Sequence, residues 1–192
     1  NILLEIIREM TNNILITSVG KRVTLTKMFQ QTLKLYFPYG RVYTTDMNPP
    51  MAPAGLISDG CFSVPRVTAP DYIDALLNLC IDNNIRVVIP TIDTELLSEH
   101  KKEFQLKGIE PIVSDLDFIQ VCRDKRKTSK YMLDLDIRVP NPVNKYSPTF
   151  PLFAKPYDGS LSKDLYIIRQ QSDLTPEILE HPKLIFMEYI DK

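Results

Sequence analysis

The sequence predicts an α/β fold built on a doubly wound parallel sheet, with a smaller α+β unit behind it. Between residues 13 and 115, short apolar runs alternate five times with amphipathic stretches at helical spacing. Parallel strands cannot be joined by tight turns, so each pair needs a crossover, and the helices then cover both faces of the sheet. After Ser114 this rhythm gives way to a proline-punctuated stretch and a shorter second set of strands. A boundary is expected near residues 114 to 120, which gives a first domain over 13–115 and a partial second one over 116–192.

The first strand is the run Ile14–Val19, closed by Gly20, and Leu25, Met28, Phe29, Thr32, Leu33 and Tyr36 follow at helical spacing. Pro38 and Gly40 break that helix, Arg41–Thr45 forms a second strand, and Asp46–Pro50 reads as a turn rich in breakers. Cys61–Val64 is a weak third strand. Asp71 opens a helix carrying Ile73, Leu76, Leu77, Cys80 and Ile81, and Val87–Ile89, closed by Pro90, is an apolar fourth strand. One helix is expected from Asp93 to Lys107, ended by Gly108 before the strand Glu110–Val113. Together these form a Rossmann-like sheet.

In the second unit Asp115 and Asp124 can each cap a short helix, and Pro140, Pro142, Pro148 and Pro151 mark an extended stretch. Strands are expected over Pro151–Pro156, Leu165–Ile168 and Leu184–Ile190, with a loop at 157–164 and a helix around Leu174–Glu180. The last apolar strand lies two residues before Lys192, without a return element to pair with it, so a truncated second unit is expected. Residues 1–12 are set apart as an N-terminal extension.

Charge excludes several function classes. The 192 residues hold 23 Lys or Arg against 24 Asp or Glu, and a net charge of −1 provides no global field for nucleic acid or an anionic membrane. Cys61, Cys80 and Cys122 form no C-x-x-C pair and sit beside apolar neighbours, so they read as buried free thiols of a reducing compartment. His100 and His181 read as surface or packing residues, without the partners that zinc or a histidine-activated nucleophile would need. No apolar stretch approaches the roughly 18 residues of a membrane span, and the N-terminus has no signal-peptide pattern. A cytoplasmic protein is expected.

The turn Thr17–Arg22 offers only Gly20, so the three-glycine dinucleotide fingerprint is missing, as is the Walker pattern. Gly20 and Lys21 at a helix start can hold an anion through backbone amides, or simply make a tight turn. In an open parallel sheet, ligands sit outside the carboxyl ends of the strands. Those ends carry Gly20, Asp46, Thr91, Asp93 and Glu95, which predicts a polar substrate crevice; the alternative is that Asp93 and Thr94 only cap the next helix. The run Arg123–Lys130 holds five cations and one anion, without the interleaved aromatics or glycines of nucleic-acid binding. Lys155 emerges from an apolar strand beside the loop Asp158–Lys163, whose small hydroxylated residues suit phosphate oxygens, or merely a hairpin turn.

Taken in order, Asp124-Lys125, the proline-flanked stretch, Phe153–Pro156, Gly159–Ser162 and Met187–Ile190 resemble the ATP-grasp enzymes, most closely the branch like the large chain of carbamoyl-phosphate synthase. The preceding unit, with Asp46–Asn48 and Pro90–Glu95, looks like that family's pre-ATP-grasp domain. The resemblance covers residues 13–192.

It implies that Lys125 and Lys155 are nucleotide-binding lysines, and that Gly159, Ser160, Ser162 and Lys163 belong to a flexible flap over the phosphates. Glu188, Tyr189 and Ile190 would form the hinge whose backbone meets adenine. Many relatives have a glycine where this chain has Asp164, a carboxylate that repels phosphate or holds the flap differently. The implied cofactors are ATP and magnesium, whose acidic ligands would lie beyond Lys192, and no metal ligand is assigned within this chain. The implied reaction activates a carboxylate as an acyl phosphate for attack by an amine or another nucleophile. As it stands, this chain alone is expected to be inactive. Its partners would be small-molecule carboxylate and amine substrates, with neither nucleic acid nor membrane, and a homodimer is left open. The alternative is a non-catalytic nucleotide-binding or regulatory module.

Overall fold

The computed structural model describes residues 11–159 and 162–191. The chain divides into two compact units between Leu116 and Asp117.

In the first unit, β1 (Asn13–Ile16), β2 (Val42–Asp46), β3 (Gly60–Ser63), β4 (Ile85–Ile89) and β5 (Glu110–Pro111) make one parallel sheet in the order β3-β2-β1-β4-β5. The connections carry α1 (Val23–Tyr36), α2 (Pro53–Leu56), α3 (Tyr72–Asp82), α4 (Thr94–Glu99) and α5 (Lys101–Leu106). The two-residue period of β1 sends Leu15 to one face and Ile14 and Ile16 to the other. Leu15 packs with Tyr72, Ile73, Leu76 and Cys80 of α3, Leu97 of α4 and Phe104 of α5. Ile16 packs with Leu33 and Phe29 of α1 and Ala54 of α2. Fully burying such a side chain contributes about 1.5–3 kcal/mol, so covering both faces is what makes the sheet stable. The predicted doubly wound sheet is present.

Two local expectations are corrected. The helix expected over Asp93–Lys107 is two helices meeting at His100. The His100 carbonyl accepts Glu103 N–H at 2.9 Å, a three-residue bond that tightens the turn, and the Glu103 carboxylate reaches back to His100 Nδ1 at 2.9 Å. A fresh helix start is thus built from residues that carry no breaker signal. The turn at Asp46–Pro50 runs on into a 3-10 turn, Pro49–Met51, and α2, with Pro53 at the first helical position, where its missing N–H costs nothing.

The cysteines also differ from expectation. Cys80 is buried, Cys61 is half-buried and Cys122 is exposed, since it lies in the last turn of a short helix. Cys61 fits because Gly55 has no Cβ, which would stand 2.5 Å from the Cys61 sulfur.

The second unit contains α6 (Leu116–Arg123), α7 (Lys125–Asp134) and α8 (Pro176–Glu180), with β6 (Leu152–Pro156), β7 (Tyr166–Ile168) and β8 (Leu184–Glu188) in an antiparallel sheet ordered β7-β6-β8. Its core gathers Leu152, Ala154, Ile168, Leu174 and Phe186. The outer edge of β8 is met by a segment that precedes β6 in the chain. Val143 N–H donates to Phe186 O and Glu188 N–H to Asn141 O, each at 2.9 Å, and Pro142 bridges Met187. The proline-rich stretch upstream blunts that edge.

A buried network ties three elements of the first unit together. Asp93, just after β4, is 1% exposed, and its carboxylate accepts Thr17 Oγ1 and Tyr72 OH, each at 2.6 Å. It stands at the N-cap of α4, where its carbonyl accepts Leu97 N–H at 3.0 Å, but its side chain makes no capping bond. Burial, then the neighbouring Asp93 charge, pushes the Tyr72 hydroxyl well above the usual tyrosine range. Removing one donor leaves a buried carboxylate short of a partner, so Tyr72→Phe should cost about 1–3 kcal/mol in urea unfolding. A cost near zero would show that Asp93 does not depend on this bond.

Candidate functional site

Period two along β6 decides what the second unit exposes. Leu152, Ala154 and Pro156 are buried, while Phe153 and Lys155 alternate onto the other face. Met187 pairs opposite Phe153, and Ile185 opposite Lys155. Two cavities open there, and both are lined by Phe153 and Lys155. One, of about 330 Å³, is completed by Lys125, Gly159, Ser162 and Lys163. The other, of about 260 Å³, is completed by Pro140, Met187, Glu188, Tyr189 and Ile190. Of the residues implied by the resemblance, Lys125, Lys155, Gly159, Ser162, Lys163, Glu188, Tyr189 and Ile190 therefore line one or other of two adjoining cavities. Ser160 lies outside the described residues.

Lys125 is placed by its own helix start. Asp124 caps α7, its carboxylate accepting Arg126 N–H at 2.9 Å and pairing with the Arg126 guanidinium at 2.6 Å. These contacts, the Arg126 side chain foremost, hold the Asp124 carboxyl at about 2. Lys125, the next residue, donates its backbone N–H to Tyr157 O at 2.9 Å and its ammonium to Gly159 O at 2.6 Å. Tyr157 in turn donates its N–H to Lys183 O at 2.9 Å, and its ring lies 3.7 Å below the Arg126 guanidinium. Lys183 closes the set with an ion pair to Asp158 at 2.6 Å.

Burial, and then the Lys125 charge, lowers the Lys155 ammonium below the usual lysine value. The Glu188 carboxylate is engaged by Asn141 N and Nδ2 at 2.9 and 3.0 Å, which lowers its pKa. Tyr157, Asn141, Asp158 and Lys183 were not singled out as site residues from sequence. Their roles come from backbone and side-chain meetings between segments far apart in the chain. The loop ends in strain: Ser162 and Asp164 both adopt φ of +54°, a left-handed conformation that glycine takes freely and that side chains disfavour.

The first unit carries the other predicted set, at the carboxyl ends of β1, β2 and β4. Gly20, at φ +49°, donates its N–H to the Asp46 carboxylate at 3.1 Å, and the other Asp46 oxygen accepts Asn48 N–H at 2.9 Å. Thr91 Oγ1 reaches the Thr17 and Ser18 carbonyls at 2.9 Å. A cavity of about 400 Å³ opens here, lined by Ser18, Arg22, Asp46, Val64, Arg66 and Ile92 among others. Of the five predicted crevice residues, Asp46 lines it. Gly20 and Thr91 brace the strand ends, Asp93 is buried beneath, and Glu95 lies in the first turn of α4. Among the described residues, no group of three His, Cys, Asp or Glu side chains is arranged to hold a metal ion. No helix among them is long and apolar enough to cross a membrane.

The cap of Lys125 is testable. Asp124→Ala should lower stability by about 0.5–2 kcal/mol, and Asp124→Asn, which also caps, should cost less. A carboxyl held at about 2, against an ordinary 3.8, stabilises the fold above pH 3.8 and loses that effect as pH falls toward 2. The acid-side stability slope of wild type should therefore flatten in Asp124→Asn across that window, measured by urea midpoints.

Comparison with known proteins follows the same division. A family described as the PylC-like N-terminal domain matches residues 14–112. No curated protein sequence matches this chain. Among solved structures, pyruvate carboxylase T882A from Rhizobium etli, with the allosteric activator acetyl coenzyme A, aligns at a TM-score of 0.67 and 12% identity. That alignment covers 95% of this chain and 18% of the carboxylase. The biotin carboxylase domain of Hydrogenobacter thermophilus 2-oxoglutarate carboxylase, in complex with MgADP and bicarbonate, aligns at 0.64 and 13% identity, covering 94% of this chain and 44% of that one. The Campylobacter jejuni biotin carboxylase complex with β-γ-ATP aligns at 0.64 and 12% identity, over 95% and 46%. This chain thus spans under half the length of each of these proteins. At such identities the likeness is one of fold, and it extends across both units. With the family match covering more than half of its length, the chain belongs to the PylC-like N-terminal-domain family, the pre-ATP-grasp domain of the ATP-grasp proteins.

Proposed function

We propose that the second unit binds ATP, with the triphosphate at Lys125, Lys155 and the loop from Gly159 to Lys163, and adenine against Glu188–Ile190. What supports the reading is the sharing of Phe153 and Lys155 between two adjoining cavities, one cationic and one lined by apolar side chains and the strand end. Burial, and then the neighbouring Lys125 charge, disfavours the Lys155 ammonium, and a polyphosphate, with several negative oxygens, would stabilise both cations. Lys125 spends donors on the loop carbonyls, so it shapes the phosphate loop as well as contributing charge.

The reaction proposed is that of an ATP-grasp ligase, related to the large chain of carbamoyl-phosphate synthase. A carboxylate oxygen attacks the γ-phosphorus and the bond to ADP breaks; an amine or other nucleophile then bonds to the acyl carbon of the acyl phosphate, its C–O bond breaks, inorganic phosphate leaves and the nucleophile gives up its proton. The lysines stabilise charge on the moving phosphoryl group. The Hydrogenobacter domain was solved with MgADP, and magnesium is proposed to accompany the nucleotide here. The donor set described above does not form a magnesium site, so no step is assigned to that ion. Proposed substrates are a small carboxylate and an amine, and the proposed setting is the cytoplasm.

Calorimetric titration of ATP tests the reading. Lys155→Met should weaken ATP binding by about 1.5–3 kcal/mol, the range for hydrogen bonds to charged groups. Its melting temperature without ATP should not fall, because charging a lysine whose folded pKa is lowered opposes folding at neutral pH. As pH rises toward 10.5, wild type should gain stability relative to Lys155→Met. Equal ATP affinities for the two proteins would overturn the assignment.

A further inference from the structure

We infer that the cavity at the carboxyl ends of β1, β2 and β3 is a binding site for a small monocarboxylate with an apolar stem, read by Arg22 and Arg66. The inference stands on the first unit alone and does not depend on ATP binding in the second. Arg22 anchors one guanidinium nitrogen, Nη1, on the Ser18 carbonyl at 3.2 Å and the Val19 carbonyl at 3.5 Å, and the residue lines the cavity. Arg66 lines the same cavity. Among the described residues, neither guanidinium forms an ion pair with a carboxylate. Guanidinium groups bind planar carboxylates through paired N–H donors, so two of them in one wall favour an anion of that shape.

The rest of the lining narrows the ligand further. Val64, Pro65, Val67, Met47 and Ile92 provide an apolar wall. Met47 and Ile92, 55% and 65% exposed, are the more accessible part of that wall. Asp46 faces the same space, with each oxygen already taking one backbone N–H. Its negative charge opposes a dianion more strongly than a monoanion, which favours a carboxylate over a phosphate.

The test uses the whole chain and follows backbone amide signals by NMR during titration with 4-methylpentanoate, its uncharged amide and inorganic phosphate. The carboxylate should shift the signals of Ser18, Asp46, Met47, Arg66 and Thr68, and bind at least tenfold more tightly than either other probe. Arg66→Gln should lose at least tenfold in affinity for the carboxylate while keeping the wild-type melting temperature without ligand and the wild-type response to ATP. Equal responses to the carboxylate and the amide would overturn the inference, as would phosphate binding more tightly than the carboxylate. So would undiminished carboxylate binding by Arg66→Gln. Failure here with ATP binding intact, or the reverse, separates this inference from the proposed nucleotide site.

Discussion

The loop of the second unit depends on one placement: the Lys125 ammonium between the carbonyls of Tyr157 and Gly159. A lysine at a helix start would ordinarily extend into water. Here the backbone N–H of Lys125 is already fixed to Tyr157 O, which leaves the side chain little choice of direction. Hydrogen bonds to a charged donor are stronger than neutral ones, so the two carbonyls are drawn toward the ammonium and the chain between them takes its bend. Tyr157 is then held on three sides, by Lys183 O, by Lys125 and by the Arg126 guanidinium over its ring. These contacts fix one wall of the cavity, and donors fixed in advance would lose less freedom on binding the proposed nucleotide.

The first unit is organised by a different constraint. Its strand order reverses direction at β1, where the chain passes from β2 and β3 on one side to β4 and β5 on the other. Loops leaving the sheet there splay apart, and a crevice opens at the carboxyl ends of the strands. The residues that keep the crevice open are not those that line it. Asp93 draws Thr17 and Tyr72 together below it, and Thr91 pins the carbonyls of Thr17 and Ser18. Polar side chains at strand ends thus divide between bracing the backbone and facing the cavity.

That division explains how far the sequence could be read. The strands and most helices were legible, because burial on both faces of a parallel sheet imposes runs such as Val87–Ile89, and helix spacing such as Ile73, Leu76 and Cys80 follows from packing on one side. The break at His100 was not legible, since it rests on a carbonyl shared between two turns rather than on a residue type. At the sites, residue type identified lysines and carboxylates. It could not say that Asp93 is committed to two hydroxyls while Asp46 faces a cavity, because both follow strands and both precede turns. Arg66 carried no signal at all, as it lies in a loop after a weak strand. Tyr157 gave none either, since what it contributes is chiefly a carbonyl and an amide that every residue possesses.

Asp164 shows the same limit from the side of the backbone. Its φ of +54° is the conformation for which glycine is suited, so the loop retains the shape of a glycine position while carrying a carboxylate. Asp tolerates this region better than most residues, because its short side chain can bond locally. What the side chain adds is a negative charge next to Lys163 in the sequence. A carboxylate close to a phosphate site offsets part of the attraction exerted by the cations, and the effect is greatest for the most highly charged ligand. Under the nucleotide reading proposed above, a carboxylate at 164 would weaken the hold on a polyphosphate without altering the path of the loop, so that backbone shape and local charge are set by separable parts of one residue.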